Sequence, residues 1–368
     1  MTRQTLEKYQ VLVFLSAIGC GLMVGSRFPE RLAPMETMLW PVLALLLYAT
    51  FTQVPLVRLR EAFSDHRFLR AAVIGNFVLL PMVVWGLSFL APDKPAIRLG
   101  VLLVLLVPCT DWFITFTHLG GGDTRHAILF SPISLLLQII LLPVYLWLFL
   151  AEVFSVNGVR GDMLGAFLGL IVLPLMAAYA TQRWVDARRE RNALLERLGW
   201  LPVPLLAVVV FIIAVTQVGL VMGSIHILCG LSLVYVAFLF VAGFMALALS
   251  RLFALPVLQG RVLAFSLGTR NSFVVLPLAL ALPPSFELAV VAVVYQSLIE
   301  LLGMAAYLWW IPKRLFPMTA PLPGDRAAGF GPRGPERCPT ERLIDERVEG
   351  RTEGRTMDEN VKNPDESD

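Results

Sequence analysis

The sequence predicts an all-α polytopic membrane protein: ten transmembrane helices forming two inverted five-helix repeats, with the fourth and ninth helices broken near mid-membrane. Its 368 residues are 57% hydrophobic and 15% charged, and the mean hydropathy is +0.73. A soluble domain carries about 25% charged residues, and so much apolar surface cannot be hidden in one aqueous core. Apolar stretches of bilayer length recur along the chain, and two of them, equivalently placed, are interrupted by polar residues.

The apolar stretches place spans near 10–28, 38–57, 71–91, 99–119, 127–151, 163–181, 200–222, 225–249, 262–282 and 288–311. Most have the ~20 residues that cross ~30 Å of hydrocarbon. Ten spans return both ends of the chain to one side, and the basic residues choose which. One side collects 16: Arg3, Lys8, Arg58, Arg60, Arg67, Arg70, Arg125, Arg183, Arg188, Arg189, Arg191, Arg197, Arg251, Arg261, Lys313 and Arg314. The other has 5: Arg27, Arg31, Lys94, Arg98 and Arg160. Both termini are therefore expected in the cytoplasm, with the chain multi-pass in the inner (plasma) membrane. One missed span would scramble this split, so its consistency supports the count of ten.

The polar segments complete the outline. Lys8 and the apolar run to Gly19-Cys20 have the outline of a lipoprotein signal, but Ala17 stands where leucine is usual. Further spans follow, so the run reads as the first membrane helix. RWVDARRERNALLERLGW (183–200) has helical periodicity and five arginines, and reads as an interfacial helix held by anionic headgroups. Residues 317–368 are rich in Pro, Gly, Arg and Glu, a composition expected to remain a disordered cytoplasmic tail. The chain thus divides into repeats at 1–162 and 163–316 and a tail at 317–368. Cys20, Cys109, Cys229 and Cys338 show no CxxC spacing, so neither a disulfide framework nor a zinc site is indicated. No cofactor and no nucleic-acid partner is called for.

Two sets of five spans must be inverted relative to each other, because five crossings leave the chain on the opposite side. The offsets agree: spans two and seven begin near 38 and 200, four and nine near 99 and 262, five and ten near 127 and 288. Span four, LGVLLVLLVPCTDWFITFTHLGGGD (99–123), is broken at Pro108-Cys109-Thr110-Asp111. Span nine, RVLAFSLGTRNSFVVLPLALAL (261–282), is broken at Ser266 and at Gly268-Thr269-Arg270-Asn271-Ser272. Taken singly, Pro108 would be a kink, Cys109 a small core hydrophobe, and Asp111 and Arg270 a structural pair. In paired positions they make one shared site. Broken helices expose backbone groups that are tolerated only around an enclosed cavity, and inverted-repeat transporters build their midplane sites from them. Ionisable groups within spans are costly and mark function.

These residues resemble the arsenical-resistance permeases (arsenite efflux carriers) of the bile acid:sodium symporter superfamily, over nearly all of residues 10–312. The resemblance lies in PVLALLLYATFTQV of span two, Asn76-Phe77 with Pro81 in span three, Cys109 and the closing HLGGGD of span four, Asn271 of span nine, and YQSLIELLG with Glu300 in span ten. It implies a ten-helix fold with a panel and a core domain, and crossing of spans four and nine at the site. It further implies extrusion of trivalent arsenic or antimony driven by protons, with transport requiring Cys109. Two departures stand out. Ser272-Phe273-Val274-Val275 lacks the glutamate that the arsenite carriers place after their asparagine. Ser266 and Arg270 stand where the sodium-coupled branch has its sodium-binding glutamate and glutamine, and an arginine there repels sodium.

Trivalent arsenic is soft and prefers sulfur. If Cys109 starts a half-helix, the backbone dipole favours its thiolate, and one thiol gives reversible binding. Thr110, Thr269, Asn271 and Ser272 are the expected hydrogen-bond partners of the substrate. Asp111 and Arg270 are expected to pair across the breaks, and protonation of Asp111 or Glu300 to couple the cycle. Pro108 and Gly268, with Gly120–Gly122, are the expected hinges. The rival reading is a bile acid:sodium symporter-like carrier of a small organic anion, held by Arg270 and two half-helix N-termini. A membrane receptor or enzyme is a distant third: there is no HExxH, GxSxG or Walker A motif, and His66, His118, His126 and His226 are scattered.

Overall fold

The structure, a computed structural model, describes residues 10–28, 33–56, 65–149, 159–188, 191–219 and 225–318. They belong to one compact unit, residues 1–318; a second unit, residues 319–368, lies outside the described residues. So do Arg3, Lys8, Arg31, Arg58, Arg60 and Arg189, and with them part of the basis for orientation.

Among the described residues the chain is helical and without strands. The helices are α1 (Gln10–Arg27), α2 (Leu39–Phe51), α3 (His66–Ser88), α4 (Pro95–Leu105), α5 (Trp112–Leu119), α6 (Thr124–Phe149), α7 (159–186), α8 (Asn192–Leu198), α9 (Pro202–Thr216), α10 (Ile225–Leu252), α11 (Val257–Gly268), α12 (Ser272–Leu280) and α13 (Glu287–Trp310). Among the described residues, seven helical stretches are long and apolar enough to cross a membrane: Pro34–Phe51, His66–Ser88, Thr124–Leu148, Met163–Asp186, Ala193–Thr216, His226–Leu252 and Pro284–Leu315. The stretches expected as spans one, four and nine hold shorter apolar helices: α1, then α4 followed by α5, then α11 followed by α12.

One expected element is divided. In place of a single helix over 183–200, α7 runs on to Asp186 and α8 starts at Asn192. Arg191 folds back between them, its guanidinium 3.7 Å above the Trp184 ring and donating to the Trp184 carbonyl at 3.0 Å. A cation over an indole face and on a free carbonyl near a helix C-terminus is favourable, and it turns the chain.

α1, α2, α7 and α9 pack on one another, α3–α6 pack with α10, α11 and α13, and α12 touches both groups. The α1–α9 contact is close because α1 presents Gly21 and Gly25 to it. A Cβ at Gly21 would stand 2.8 Å from Ala214 Cβ, and one at Gly25 would stand 2.5 Å from Val215 O. Lipid supplies no hydrophobic drive between helices, so close backbone approach through small residues does. Gly25→Leu is expected to cost about 1–3 kcal/mol by overpacking, read as a lower thermal midpoint in detergent. Gly19→Leu, which meets open space, leaves the midpoint unchanged. On α7, buried Gln182 closes the end of α2: its amide donates to Phe51 O and Thr52 O (3.2 and 3.1 Å) and accepts from Leu56 N (3.1 Å).

The starts of α3, α6 and α11 meet in a polar knot. Asp65 caps α3, accepting from the N–H groups of Arg67 and Phe68 (3.0 and 3.1 Å), and Gln259 of α11 donates to its other oxygen at 2.8 Å. His126 of α6 lies 3.3 Å from Asp65 and 2.8 Å from Asp123. Nearby, Arg261 donates to Gly120 O, Gly121 O and Phe316 O. The connections carrying Arg67, Arg125 and Arg261 thus share one end of the molecule. Burial pushes the Asp65 carboxyl up, but the bonds from Phe68 N–H, Gln259, Arg67 N–H and His126 outweigh it and hold the carboxyl below the ordinary aspartate value of 3.8. Its stabilisation is therefore complete above that ordinary value and disappears as pH falls through the lower folded one. Asp65→Asn is expected to flatten the acid limb of a stability–pH curve and to cost about 0.3–1 kcal/mol at neutral pH, because the asparagine still caps α3 but carries no charge at its N-terminus.

Candidate functional site

Proline lacks a backbone donor and cannot continue a helix, so α4 stops before Pro108 and leaves main-chain groups open inside the membrane. Water cannot satisfy them there; the second break does. Pro108 and Arg270 form an isolated antiparallel bridge. Cys109 N–H donates to Thr269 O at 3.2 Å, and Asn271 N–H donates to Val107 O at 2.8 Å. The two interruptions thus join into a crossover, with α4 and α11 ending at it and α5 and α12 starting from it.

Cys109, Thr110 and Asn271 are 4%, 0% and 4% exposed. The Cys109 thiol donates to Asp111 Oδ1 at 3.3 Å; a thiol, not a thiolate, makes that bond, and a carboxylate as well as a helix N-terminus stands beside the sulfur. Thr110 O accepts the Ser131 hydroxyl, while Thr110 Oγ1 is buried without a hydrogen-bond partner. Asn271 caps α12, its Oδ1 accepting from Val274 N at 3.2 Å, and its Nδ2 is likewise buried without a partner. Trp112, at the start of α5, stacks on Phe14 of α1 at 5.9 Å and meets Phe273 of α12 edge-on at 5.7 Å. The crossover is thereby wedged between the two helix groups.

Some expected substrate partners are engaged within the protein. Thr269 Oγ1 donates back to Phe265 O at 2.8 Å, as a hydroxyl at a helix end readily does. Ser272 Oγ donates to Gln296 Oε1 at 2.6 Å. Glu300 Oε2 accepts from Gln296 Nε2 (2.7 Å) and from the backbone N–H of Arg270 (2.9 Å). One chain of bonds therefore runs from α12 through α13 to the second break. The Arg270 guanidinium does not reach across to Asp111 for the bonds it makes. It folds back along α11, donating to Ser266 O and Leu267 O at 2.9 Å, to Asn76 Oδ1 at 3.0 Å and to Leu105 O at 3.4 Å.

Asn76 reaches Arg270 because of Pro81. With no N–H at Pro81, the Phe77 carbonyl four residues earlier is free and takes the Tyr145 hydroxyl at 2.5 Å, and the helix widens into a π turn over Gly75–Leu79. Asn76 Nδ2 also donates to Ser266 Oγ at 3.0 Å. Gly268 is required by space: a Cβ there would stand 2.6 Å from the Tyr307 ring. The Gly120–Gly122 run, expected as a hinge, is a turn with Gly121 at φ +63°, pinned to α11 by Arg261 as described.

Sequence reasoning passes over Gln296 and a polar face of α6. Ser131, Ser134 and Gln138 are fully or nearly fully buried, and the Ser134 hydroxyl and both Gln138 amide atoms have no hydrogen-bond partner. Their spacing of three and four residues along an apolar helix puts them on one side, a signal present in the sequence. A cavity of about 310 Å³ between α6, α7 and α12 is apolar, lined by Leu146, Trp147, Met163, Phe167 and Leu278 among others; none of the crossover residues lines it, and the crossover itself is closed.

Apolar helices of bilayer length, with two interrupted helices sealing each other around buried polar groups, define an integral membrane protein of the transporter class. A family model described as the Sodium Bile acid symporter family matches residues 40–224, and the chain belongs to that family of membrane transporters. Over 154 residues it is 24% identical to the arsenical-resistance protein Acr3 of Corynebacterium glutamicum, covering 39% of this chain and 42% of that one. It is 31% identical over 121 residues to an uncharacterized protein of Pseudomonas aeruginosa, covering 32% and 36%. It is 23% identical over 155 residues to YocS, an uncharacterized sodium-dependent transporter of Bacillus subtilis, covering 42% and 48%. Each alignment spans less than half of the relative's length.

Proposed function

We propose that the chain is a secondary active transporter that extrudes trivalent arsenic, and by the same chemistry antimony, in exchange for protons, by alternating access at the crossover. In this reading the helices are ten spans in two inverted repeats, with both termini cytoplasmic. The observation that carries it is the buried thiol of Cys109, set in the crossover beside a carboxylate, with Thr110 Oγ1 and Asn271 Nδ2 left unpartnered in the same two joined breaks. The likeness to an arsenical-resistance protein supports it.

The chemistry is a ligand exchange. Arsenic as its trihydroxide loses one hydroxyl and gains the Cys109 sulfur; the As–O bond breaks as the As–S bond forms. The thiol proton passes by way of Asp111, its present hydrogen-bond acceptor, to the departing hydroxyl, which leaves as water. Thr110 and Asn271 hydrogen-bond the two remaining hydroxyls. One sulfur gives a bond that the reverse exchange can break on the far side, where three would hold the metalloid. Because the crossover is closed, loading requires α5 and α12 to part from the helices that cover them. Protonation of Glu300 removes charge from the acceptor of the Arg270 N–H, which loosens the second break and links proton entry to that motion. Cys109→Ser, tested for arsenite tolerance in cells, decides the reading.

A second reading, carriage of a small organic anion, is favoured by the family description and by the N-termini of α5 and α12 meeting at the crossover, where an anion is stabilised. Against it, the Arg270 guanidinium is already held by four protein oxygens. Unchanged arsenite tolerance of Cys109→Ser would favour this second reading.

A further inference from the structure

The oxygens around the Arg270 guanidinium carry no formal charge, yet they are not an arbitrary set. Leu105 is the last residue of α4, and Ser266 and Leu267 lie in the last turn of α11. Their carbonyls are the negative ends of the two half-helices that stop at the crossover. The Asn76 side-chain oxygen closes the group from α3, and the Phe238 ring lies 5.5 Å from the guanidinium carbon. Uncharged oxygens converging from half-helix C-termini and one amide are a site for a monovalent cation, and transporters with broken helices hold their coupling cations in such groups. Here the cation is part of the chain. Arg270 is itself a break residue and its guanidinium is covalently part of the chain, so the charge cannot dissociate during a transport cycle. A coupling ion must leave.

We propose that Arg270 is a tethered cation, permanently filling an oxygen cage that joins α3, α4 and α11, so that this member of a family described as sodium symporters binds and needs no sodium there. The proposal rests on the reading of the crossover as the transport site, and it supplies that reading with a coupling property: transport independent of a sodium gradient. Removing the side chain while leaving the cage intact opens a site for a small monovalent cation. Replacing it with another tethered cation does not.

The experiment needs no substrate, so its outcome is separable from the identity of the cargo. Thermal unfolding of the purified full-length protein in detergent is followed in sodium chloride and in choline chloride of equal strength. Wild type and Arg270→Lys are expected to unfold at the same temperature in both salts. Arg270→Gln is expected to unfold earlier in choline and to recover in sodium, with a saturable rise on the order of 5 °C. A sodium-dependent rise in the wild type overturns the proposal, and so does an Arg270→Gln protein that folds but responds equally to both salts. Should Arg270→Gln fail to accumulate, equilibrium binding of radioactive sodium to the wild type decides alone: saturable binding that Asn76→Leu removes overturns the tethered cation, and its absence supports it. A Cys109→Ser variant that keeps arsenite tolerance would sink the metalloid reading without touching the salt result.

Discussion

Cells carrying Cys109→Ser are expected to lose arsenite tolerance, with initial efflux from loaded vesicles falling about tenfold or more, because the oxygen of serine cannot replace sulfur as a ligand for a soft metalloid. The folded protein should survive the change. Serine is close to cysteine in size, and its hydroxyl can still donate to Asp111 Oδ1, the acceptor of the thiol. A well-partnered hydroxyl in place of a well-partnered thiol costs no more than about 1 kcal/mol. Membrane abundance and thermal midpoint of the variant are therefore measured beside tolerance. Loss of tolerance at unchanged abundance is the expected result; unchanged tolerance removes the sulfur from the mechanism. Cys20 and Cys229, both exposed, provide the controls, since their serine variants should behave as wild type.

Glu300→Ala is expected to give the largest loss of stability, about 2–6 kcal/mol, because it leaves two buried hydrogen-bond donors without an acceptor. The carboxylate is 3% exposed and holds the Arg270 N–H and the Gln296 amide at 2.9 and 2.7 Å. Without it, both donors are stranded. Glu300→Gln separates structure from coupling. Its side-chain oxygen still accepts from the Arg270 N–H, so the protein is expected to accumulate, but a site that no longer titrates cannot pass a proton. The measurement is proton flux and arsenite movement in liposomes under an imposed pH gradient. If Glu300→Gln and Asp111→Asn both keep full gradient-driven transport, neither carboxyl group couples the cycle.

Much of the candidate site is legible in the sequence. A proline followed by a thiol, a hydroxyl and a carboxylate inside an apolar run cannot face lipid, and a second polar interruption about 163 residues later marks its counterpart. That follows from the cost of unpaired backbone in hydrocarbon, which acts on any sequence. Less legible was which side chain holds which. Asp111 and Arg270 suggested an ion pair by their opposite charge, yet Arg270 turns back to the carbonyls of its own helix and to Asn76, 194 residues away. The sequence suggests Ser272 as a substrate ligand and Glu300 as a coupling group, and the structure connects both to Gln296. Buried Ser134 and Gln138 were visible as polar positions in an apolar helix, but nothing local distinguished them from hydroxyls and amides bonded to their own backbone.

The sequence by itself determined where the membrane helices run and where two of them stop, because hydropathy and the missing donor of proline are properties of residues in order along the chain. Only the tertiary structure decided that the two stops seal each other, that a π turn at Gly75–Leu79 brings Asn76 to Arg270, and that the starts of α3, α6 and α11 are tied by Asp65, His126 and Gln259. Those choices depend on which unsatisfied donors and acceptors come within about 3 Å of each other once the helices pack, and packing brings together residues that no local pattern relates.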